Sequence, residues 1–217
     1  PVAPLLAAEN VTAIVNCAAY TKVDLAEEES DLAMQVNAAA PARLAAAARA
    51  AGIPVIQLST DYVFSGDKDA PYREDDVPGP RSAYGRSKLA GEEAVRDSGA
   101  RHAIVRTAWV FSGGGSNFVR PMLRLARERP VVSVVADQVG CPTNAADLAA
   151  AVAAVTIALE DRRASSGTWH AVNSGEIALG PIDIAELVEA HRQGALQFGN
   201  VREIGGERGQ QLHPKGI

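Results

Sequence analysis

The chain has 217 residues, of which 47% are hydrophobic and 22% are charged, and this composition excludes extensive disorder. A net charge of −5 with a pI near 5.4 argues against a nucleic-acid scaffold, because binding to phosphates requires a basic face. The longest mostly apolar run, residues 148–159, is shorter than the ~20 residues that span a bilayer. We therefore expect a soluble protein without nucleic-acid or membrane partners.

The number of cysteines indicates the cellular compartment of the protein, and the first residue indicates whether the sequence is part of a longer one. Cys17 and Cys141 are too few for a disulfide framework and lack the CxxC spacing of a zinc site, so we expect a reducing cytoplasm. The four histidines have no metal-ligand spacing either, and we expect no metal. The chain begins with Pro1 rather than Met and has no secretory pattern, which predicts that it is the interior of a longer protein.

Short apolar runs alternate with longer helical patterns along the chain. Strands are predicted at residues 13–18, 54–60, 102–110 and 168–172, and helices at 31–50, 82–96, 117–127, 144–160 and 181–192. Strands separated by helices of this length require crossover connections, which give a parallel sheet covered on both faces. We predict a doubly wound α/β fold, a class in which ligands bind at the carboxyl ends of the strands.

Tyr84 and Lys88 form a YxxxK pair at the start of the helix predicted at 82–96. Residues four apart on a helix lie on one face, one turn apart. With four tyrosines and four lysines in the chain, chance predicts about 0.07 such pairs. An ammonium group close to a phenol stabilises the phenolate and lowers its pKa toward neutral pH. The pair is a candidate proton-transfer site; an exposed polar pair on an amphipathic helix is the simpler alternative.

Ser59 and Thr60 end the strand predicted at 54–60, where a parallel sheet opens toward a ligand. Thr60 could hold a substrate oxygen beside the Tyr84 hydroxyl. The tyrosine would then deliver or accept a proton while hydride moves at the adjacent carbon. We predict Thr60, Tyr84 and Lys88 as the catalytic residues.

Four segments with specific motifs occur in order along the chain. They are STDYVF at 59–64, PYREDDVPGPRSAYGRSKLAGEE at 71–93, RTAWVF at 106–111 and ADQVGCPT at 136–143. These segments resemble the extended short-chain dehydrogenase/reductase family, and within it the dTDP-4-dehydrorhamnose reductases, from about Val11 to Glu176. The resemblance implies a Rossmann-like fold, NADPH or NADH as the cofactor, and reduction of the 4-keto group of dTDP-4-dehydro-L-rhamnose, a dTDP-sugar.

The resemblance also implies roles for the residues of the proton-transfer site. Tyr84 would be the catalytic proton donor, Lys88 its partner and a ligand of the cofactor ribose, and Thr60 the third member of the site. The segment after the first strand would line the cofactor through Ala18, Ala19, Tyr20 and Thr21.

Further residues are implied on the substrate side. Asp61 would lie near the substrate together with Thr60, Trp109 would pack against the sugar, and Asn117 and Phe118 resemble substrate-side residues of the family. Ordinary core packing is the alternative for Trp109. Capping and stapling of the following helix is the alternative for Asn117 and Phe118.

The sequence departs from the family pattern at both ends. Its 217 residues contain no GxxGxxG turn, which in the family holds the cofactor pyrophosphate, and the resemblance fades after Glu176. We predict a partial NAD(P)-binding Rossmann-like domain at 1–140, without the first three strands, and a partial substrate-binding region with an irregular tail at 141–217. The strand at 13–18 would then be an apolar edge. A second copy in a homodimer or a companion chain that completes the sheet is the expected protein partner.

Two alternatives remain beside the reductase. One is another nucleotide-sugar epimerase, dehydratase or reductase that uses the same three residues. The other is a catalytically silent regulatory subunit similar to the methionine adenosyltransferase β subunit, which resembles the same family. The missing glycine turn favours a subunit without catalytic activity, whereas the presence of Thr60, Tyr84 and Lys88 favours an enzyme. Because the pyrophosphate site is the main anchor of a dinucleotide, we expect the 217-residue chain alone to be a weak enzyme.

Overall fold

A computed structural model describes residues 9–114, 117, 119–128, 139–173 and 177–178, together with positions 2, 4 and 6. In chain order the strands are β1 (Ile14–Asn16), β2 (Val55–Thr60), β3 (His102–Thr107), β4 (Val110–Phe111), β5 (Val139–Gly140), β6 (Thr143–Asn144), β7 (Gly167–His170) and β8 (Ile177–Ala178). The helices are α1 (the consecutive segments Ser30–Met34, Gln35–Ala39 and Ala40–Ala51), α2 (Ala83–Asp97), α3 (Val119–Glu128) and α4 (Ala145–Glu160). The middle segment of α1 is a π turn, and Leu25–Glu27 and Asp61–Val63 form single 3₁₀ turns.

The central sheet has four parallel strands in the order β1-β2-β3-β7. Its register places Thr60 at the end of β2 opposite Thr107 at the end of β3. Two small pairs accompany it, parallel β4-β6 and antiparallel β5-β8. Within the described residues β1 is an edge strand, and its Val15 is 43% exposed. Although β7 comes after residue 140, it pairs with β3 in this sheet; the division into domains at 140 stays a prediction.

Helices cover both faces of the sheet, which confirms the predicted doubly wound class. On one face, side chains of β2 and β3 pack against α4 in a cluster of Ile56, Ala103, Val105, Leu148, Ala151, Val152, Val155 and Leu159. On the other face, α1 and α2 pack on the same strands through Ala45, Ala48, Val55, Val95, Ala100 and Ile104. The alternation of side chains along each strand divides these two clusters, and their burial is the main stabilising contribution.

The helix ends follow from local sequence signals. Gly52 ends α1 at φ 71°, a left-handed conformation that glycine adopts without a Cβ penalty. Ser82 begins α2 by accepting a hydrogen bond from the Gly85 amide (3.0 Å), and Asn144 begins α4 by accepting one from the Ala146 amide (2.8 Å). The sequence pattern predicts helices that include Ser82 and Asn144; because both residues are caps, each helix begins one residue later than predicted.

The third predicted strand is shorter than expected, because β3 ends at Thr107 instead of continuing to residue 110. Trp109 has φ 47°, and this turn sends Val110 and Phe111 away from the central sheet to pair with β6. The predicted helix 181–192 and the tail 193–217 lie outside the described residues. Among the helices that the structure describes, none is both long and apolar enough to cross a membrane.

Candidate active site

The site begins where β2 ends and the chain turns into the 3₁₀ segment Asp61–Val63. Thr60 caps this turn: its hydroxyl accepts a hydrogen bond from the Tyr62 amide (3.3 Å) and donates one to Asp61 Oδ1 (2.9 Å). Thr60 and Asp61 are both buried. The cap fixes the Thr60 side chain at the carboxyl end of the sheet, where ligands bind in this fold class.

Helix α2 places Tyr84 and Lys88 against this strand end. The Tyr84 hydroxyl lies near enough to Thr60 for that side chain to act on the pKa of the phenol, and the Tyr84 ring meets the Tyr62 ring edge-on at 5.4 Å between centroids. Lys88 Nζ donates to the carbonyl oxygen of Leu58 (2.7 Å), two residues before Thr60. A Cβ on Gly85 would lie 2.2 Å from the Tyr62 carbonyl oxygen, so only glycine allows this approach. The structure therefore brings the three predicted catalytic residues together.

Burial shifts the pKa values of the side chains in the site toward their uncharged forms. It raises the pKa of Tyr84 to about 12, although the neighbouring Thr60 side chain acts in the lowering direction. Burial also lowers the pKa of Lys88 to about 8, against the opposing charge of Glu92. The pKa of Asp61 rises to about 6 because burial outweighs the hydrogen bond from Thr60. The sequence-based expectation that Lys88 lowers the pKa of Tyr84 differs from this result, since burial is the dominant influence on the phenol.

The segment predicted to line the cofactor follows β1. Ala18 and Thr21 are exposed, and Ala19 and Tyr20 are half-buried. Asn37, in the π turn of α1, accepts a hydrogen bond from the Tyr20 amide (2.8 Å) and donates to the Tyr20 carbonyl (3.0 Å). Its amide also donates to Ser87 Oγ on α2 (2.9 Å). Asn37 thus ties this segment to the helix that carries Tyr84, a connection that sequence analysis missed.

Of the predicted substrate-side residues, Trp109 and Asn117 lie within the described part of the chain. The Trp109 ring covers Gly140, where a Cβ would lie 2.7 Å from the indole, and packs against a cluster of buried residues that includes Phe64 and Cys141. Asn117 Nδ2 donates to the carbonyl oxygens of Ser112 (2.9 Å) and Gly114 (3.2 Å). Both side chains therefore have structural contacts, and their substrate roles stay predictions.

Phe118 lies outside the described residues. No group of three or more His, Cys, Asp or Glu side chains that could hold a metal occurs in the part of the chain that the structure describes.

Comparison with known proteins identifies the family. The family described as the RmlD substrate binding domain matches residues 1–195. The chain belongs to this family. Among curated proteins, the dTDP-4-dehydrorhamnose reductase of Sinorhizobium fredii is 52% identical over 167 residues, which cover 75% of the chain and 56% of the relative. The Escherichia coli protein of the same name is 45% identical over 184 residues, 83% of the chain and 60% of the relative.

Solved structures agree with the family assignment. A dTDP-4-dehydrorhamnose reductase from Bacillus anthracis, crystallised with NADP, has a TM-score of 0.79 at 38% identity and aligns with 92% of the chain and 67% of its own. A dTDP-glucose 4,6-dehydratase from Streptomyces venezuelae, with a TM-score of 0.71 at 19% identity, shows the shared fold alone. The RmlD-family chain described here spans a little over half the length of the first curated relatives it matches.

Proposed function

We propose that the protein is an NADPH- or NADH-dependent reductase of the 4-keto group of dTDP-4-dehydro-L-rhamnose. The observation that carries the proposal is that Thr60, Tyr84 and Lys88 are all buried at the carboxyl end of β2, where Lys88 Nζ donates to the Leu58 carbonyl and Thr60 acts on the pKa of Tyr84. The names of the curated relatives favour this substrate over those of the epimerases and dehydratases that share the fold. The cytoplasm is the proposed compartment, because two cysteines are too few for a disulfide framework.

Lys88 has the donor chemistry that a nicotinamide cofactor requires. Its ammonium group has three N–H donors, of which one is directed to the Leu58 carbonyl, so the others suit the hydroxyl groups of a ribose. Ala18 and Ala19 present small side chains at the end of β1 and would allow close approach of the cofactor. The bound cofactor would supply the hydride. The cofactor site in this proposal consists of Lys88, Tyr84 and the segment from Ala18 to Thr21.

Side chains of the protein would supply the proton that the ketone oxygen takes up. Thr60 and Tyr84 would both hydrogen-bond the ketone oxygen, and Tyr84 would donate its proton to that oxygen as the hydride arrives at the carbon. A phenol with a pKa near 12 is protonated at neutral pH and is therefore ready to donate. The positive charge of Lys88 would stabilise the phenolate that forms in the transition state. Asp61, Trp109, Asn117 and Phe118 are the proposed substrate contacts.

The test is a pair of measurements on the purified chain. Fluorescence titration with NADPH should give saturable binding, and addition of dTDP-4-dehydro-L-rhamnose should oxidise the cofactor. Tyr84→Phe should lower kcat about 10²- to 10⁴-fold, the usual contribution of a general acid. Tyr72→Phe is the matched control, since Tyr72 is another buried tyrosine but stacks on Phe64 instead of facing Thr60. Equal activity of wild type and Tyr84→Phe would refute the mechanism, and absence of NADPH binding would refute the activity of this chain.

A further inference from the structure

A buried carboxylate lies two helical turns beyond Tyr84. Glu92 on α2 has no exposed surface, and both of its oxygens accept several hydrogen bonds. Ser59 Oγ donates to Oε1 (2.5 Å), Arg106 donates through Nε to Oε1 (2.9 Å) and through Nη2 to Oε2 (2.7 Å), and Arg96 donates to Oε2 (2.6 Å). The bidentate pair with Arg106 is the strong, geometrically specific form of ion pair. Glu92 therefore joins α2 to β2 and β3 at once.

Arg106 extends this connection beyond the sheet. Its guanidinium lies over the Phe64 ring at 4.9 Å, and Nη1 donates to the Glu74 carbonyl at 3.5 Å. Glu74 in turn accepts a hydrogen bond from the His170 amide at the end of β7 (3.1 Å). The loop that follows the Asp61 turn is thus joined to Arg106. We call Glu92 together with its partners Ser59 and Arg106 the anchor, and it holds both this loop and α2.

The partners of Glu92 adjoin the proposed catalytic residues in sequence. Ser59 directly precedes Thr60, and Lys88 is one helical turn before Glu92 on the same face of α2. We propose that Glu92 is a positioning residue for the ketone reduction: by binding Ser59 and Arg106 it sets the register of α2 against β2, so that Tyr84 and Lys88 face Thr60. This inference rests on the proposed function.

The charge of Glu92 contributes as well as its geometry. The charged groups that face it are Arg106 from β3 and Arg96 and Lys88 from its own helix; the titratable His170 from β7 also faces it, but burial lowers the pKa of His170 to about 4 and leaves the imidazole neutral near pH 7. Hydrogen bonds and charges of the arginines hold the pKa of Glu92 below its usual range although burial opposes them. The resulting negative charge raises the pKa of Lys88 and opposes the effect of burial. Loss of this charge therefore favours the neutral amine, which cannot stabilise a phenolate.

The experiment compares Glu92→Gln with Glu93→Gln in the full chain. Glu93 is the next residue of the same helix but is exposed, so its variant removes the same charge without touching the anchor. Glu92→Gln should lower kcat about 10- to 100-fold while KM changes about twofold or less, because small displacements of catalytic groups are costly. Titration of the lysine side chains by NMR, with Lys88→Arg to assign the resonance, should show a fall of about one unit in the pKa of Lys88. Glu93→Gln should leave both quantities unchanged.

Ser59→Ala keeps the Glu92–Arg106 pair and therefore tests the anchor if Glu92→Gln fails to fold. It should lower kcat about three- to tenfold and the melting temperature by only about 3–10 °C, because the hydrogen bond to β2 is lost while the Glu92–Arg106 pair remains. An unchanged kcat in Ser59→Ala, or an unchanged pKa of Lys88 in folded Glu92→Gln, would overturn the inference. If the wild-type chain reduces no ketone, the proposed function fails by itself. The pKa of Lys88 in folded Glu92→Gln then decides whether Glu92 governs Lys88: a lower pKa supports the inference, and an unchanged pKa overturns it.

Discussion

Asp61 offers a direct test of how burial acts on the site. It is 4% exposed, and burial raises the pKa of its carboxyl from 3.8 to about 6. The difference corresponds to about 3 kcal/mol of unfavourable free energy in the folded state once the carboxyl is ionised. Asp61→Asn removes this charge, and the amide oxygen can still accept the hydrogen bond from Thr60. Because the neutral amide accepts that hydrogen bond more weakly than the carboxylate does, at a cost of about 1 kcal/mol, we expect a net stabilisation of about 2 kcal/mol.

The pH dependence of this stabilisation has a definite sign. A group whose folded pKa is raised contributes stability that is complete below its unfolded pKa and is lost as the pH rises through the folded pKa. The stability of wild type and Asp61→Asn should therefore be similar near pH 4 and diverge between pH 4 and pH 6.

The assay is thermal unfolding followed by circular dichroism at several pH values. At pH 8 the melting temperature of Asp61→Asn should exceed that of wild type by roughly 4–8 °C, given the 2–4 °C per kcal/mol typical of chains of this size. Asp75→Asn is the control, because Asp75 is 86% exposed and its ion pair with Arg73 should contribute little. A gap that is absent at pH 8, or is equally large at pH 4, would refute the assignment of the shift to burial.

Two predictions concern the placement of α2. Gly91→Ala would put a Cβ 2.0 Å from the Asn37 carbonyl oxygen, so α2 must move away from the π turn; we expect about 1–3 kcal/mol of destabilisation by urea unfolding. Gly113→Ala, which meets no atom within 4 Å, is the control, and equal stability of the two variants would contradict the close approach. Ser82→Ala removes the cap of α2 and should cost about 1 kcal/mol, whereas Ser82→Thr should restore most of it; a neutral alanine variant would exclude the cap as a stabilising contact.

Local patterns predicted the parts of the fold that depend on neighbouring residues in sequence. Apolar runs predicted the positions of the four strands of the central sheet, and the helical patterns that begin at Ser82 and Asn144 predicted two helix starts to within one residue. The YxxxK spacing brought Tyr84 and Lys88 onto one helical face before any tertiary information was used. These features depend on residues that are close in sequence, and they can therefore be predicted from a single sequence.

The anchor beneath the site could not be predicted in the same way. Glu92 and Arg106 lie on different elements, and no periodicity connects a helix residue with a strand residue 14 positions later. The turn at Trp109 was missed for a related reason: its positive φ occurs at a bulky residue, where propensity predicts a continued strand. The π turn at Asn37 lies in an alanine-rich helix without any local signal, although an asparagine among so many alanines could have drawn attention to it.

Burial affects the ionisable groups of the proposed catalytic site differently from those of the Glu92–Arg106 pair. Glu92 and Arg106 are buried as a bidentate pair, so each compensates the other and the pKa of Glu92 falls below its usual range. Asp61, Tyr84 and Lys88 are also buried, but the pKa of each is shifted toward the neutral form because burial is the largest influence on it. A protein that required only stability would replace these three side chains with apolar ones. The position of these three side chains near the end of β2, beside the Glu92–Arg106 pair, supports the proposed proton-transfer site.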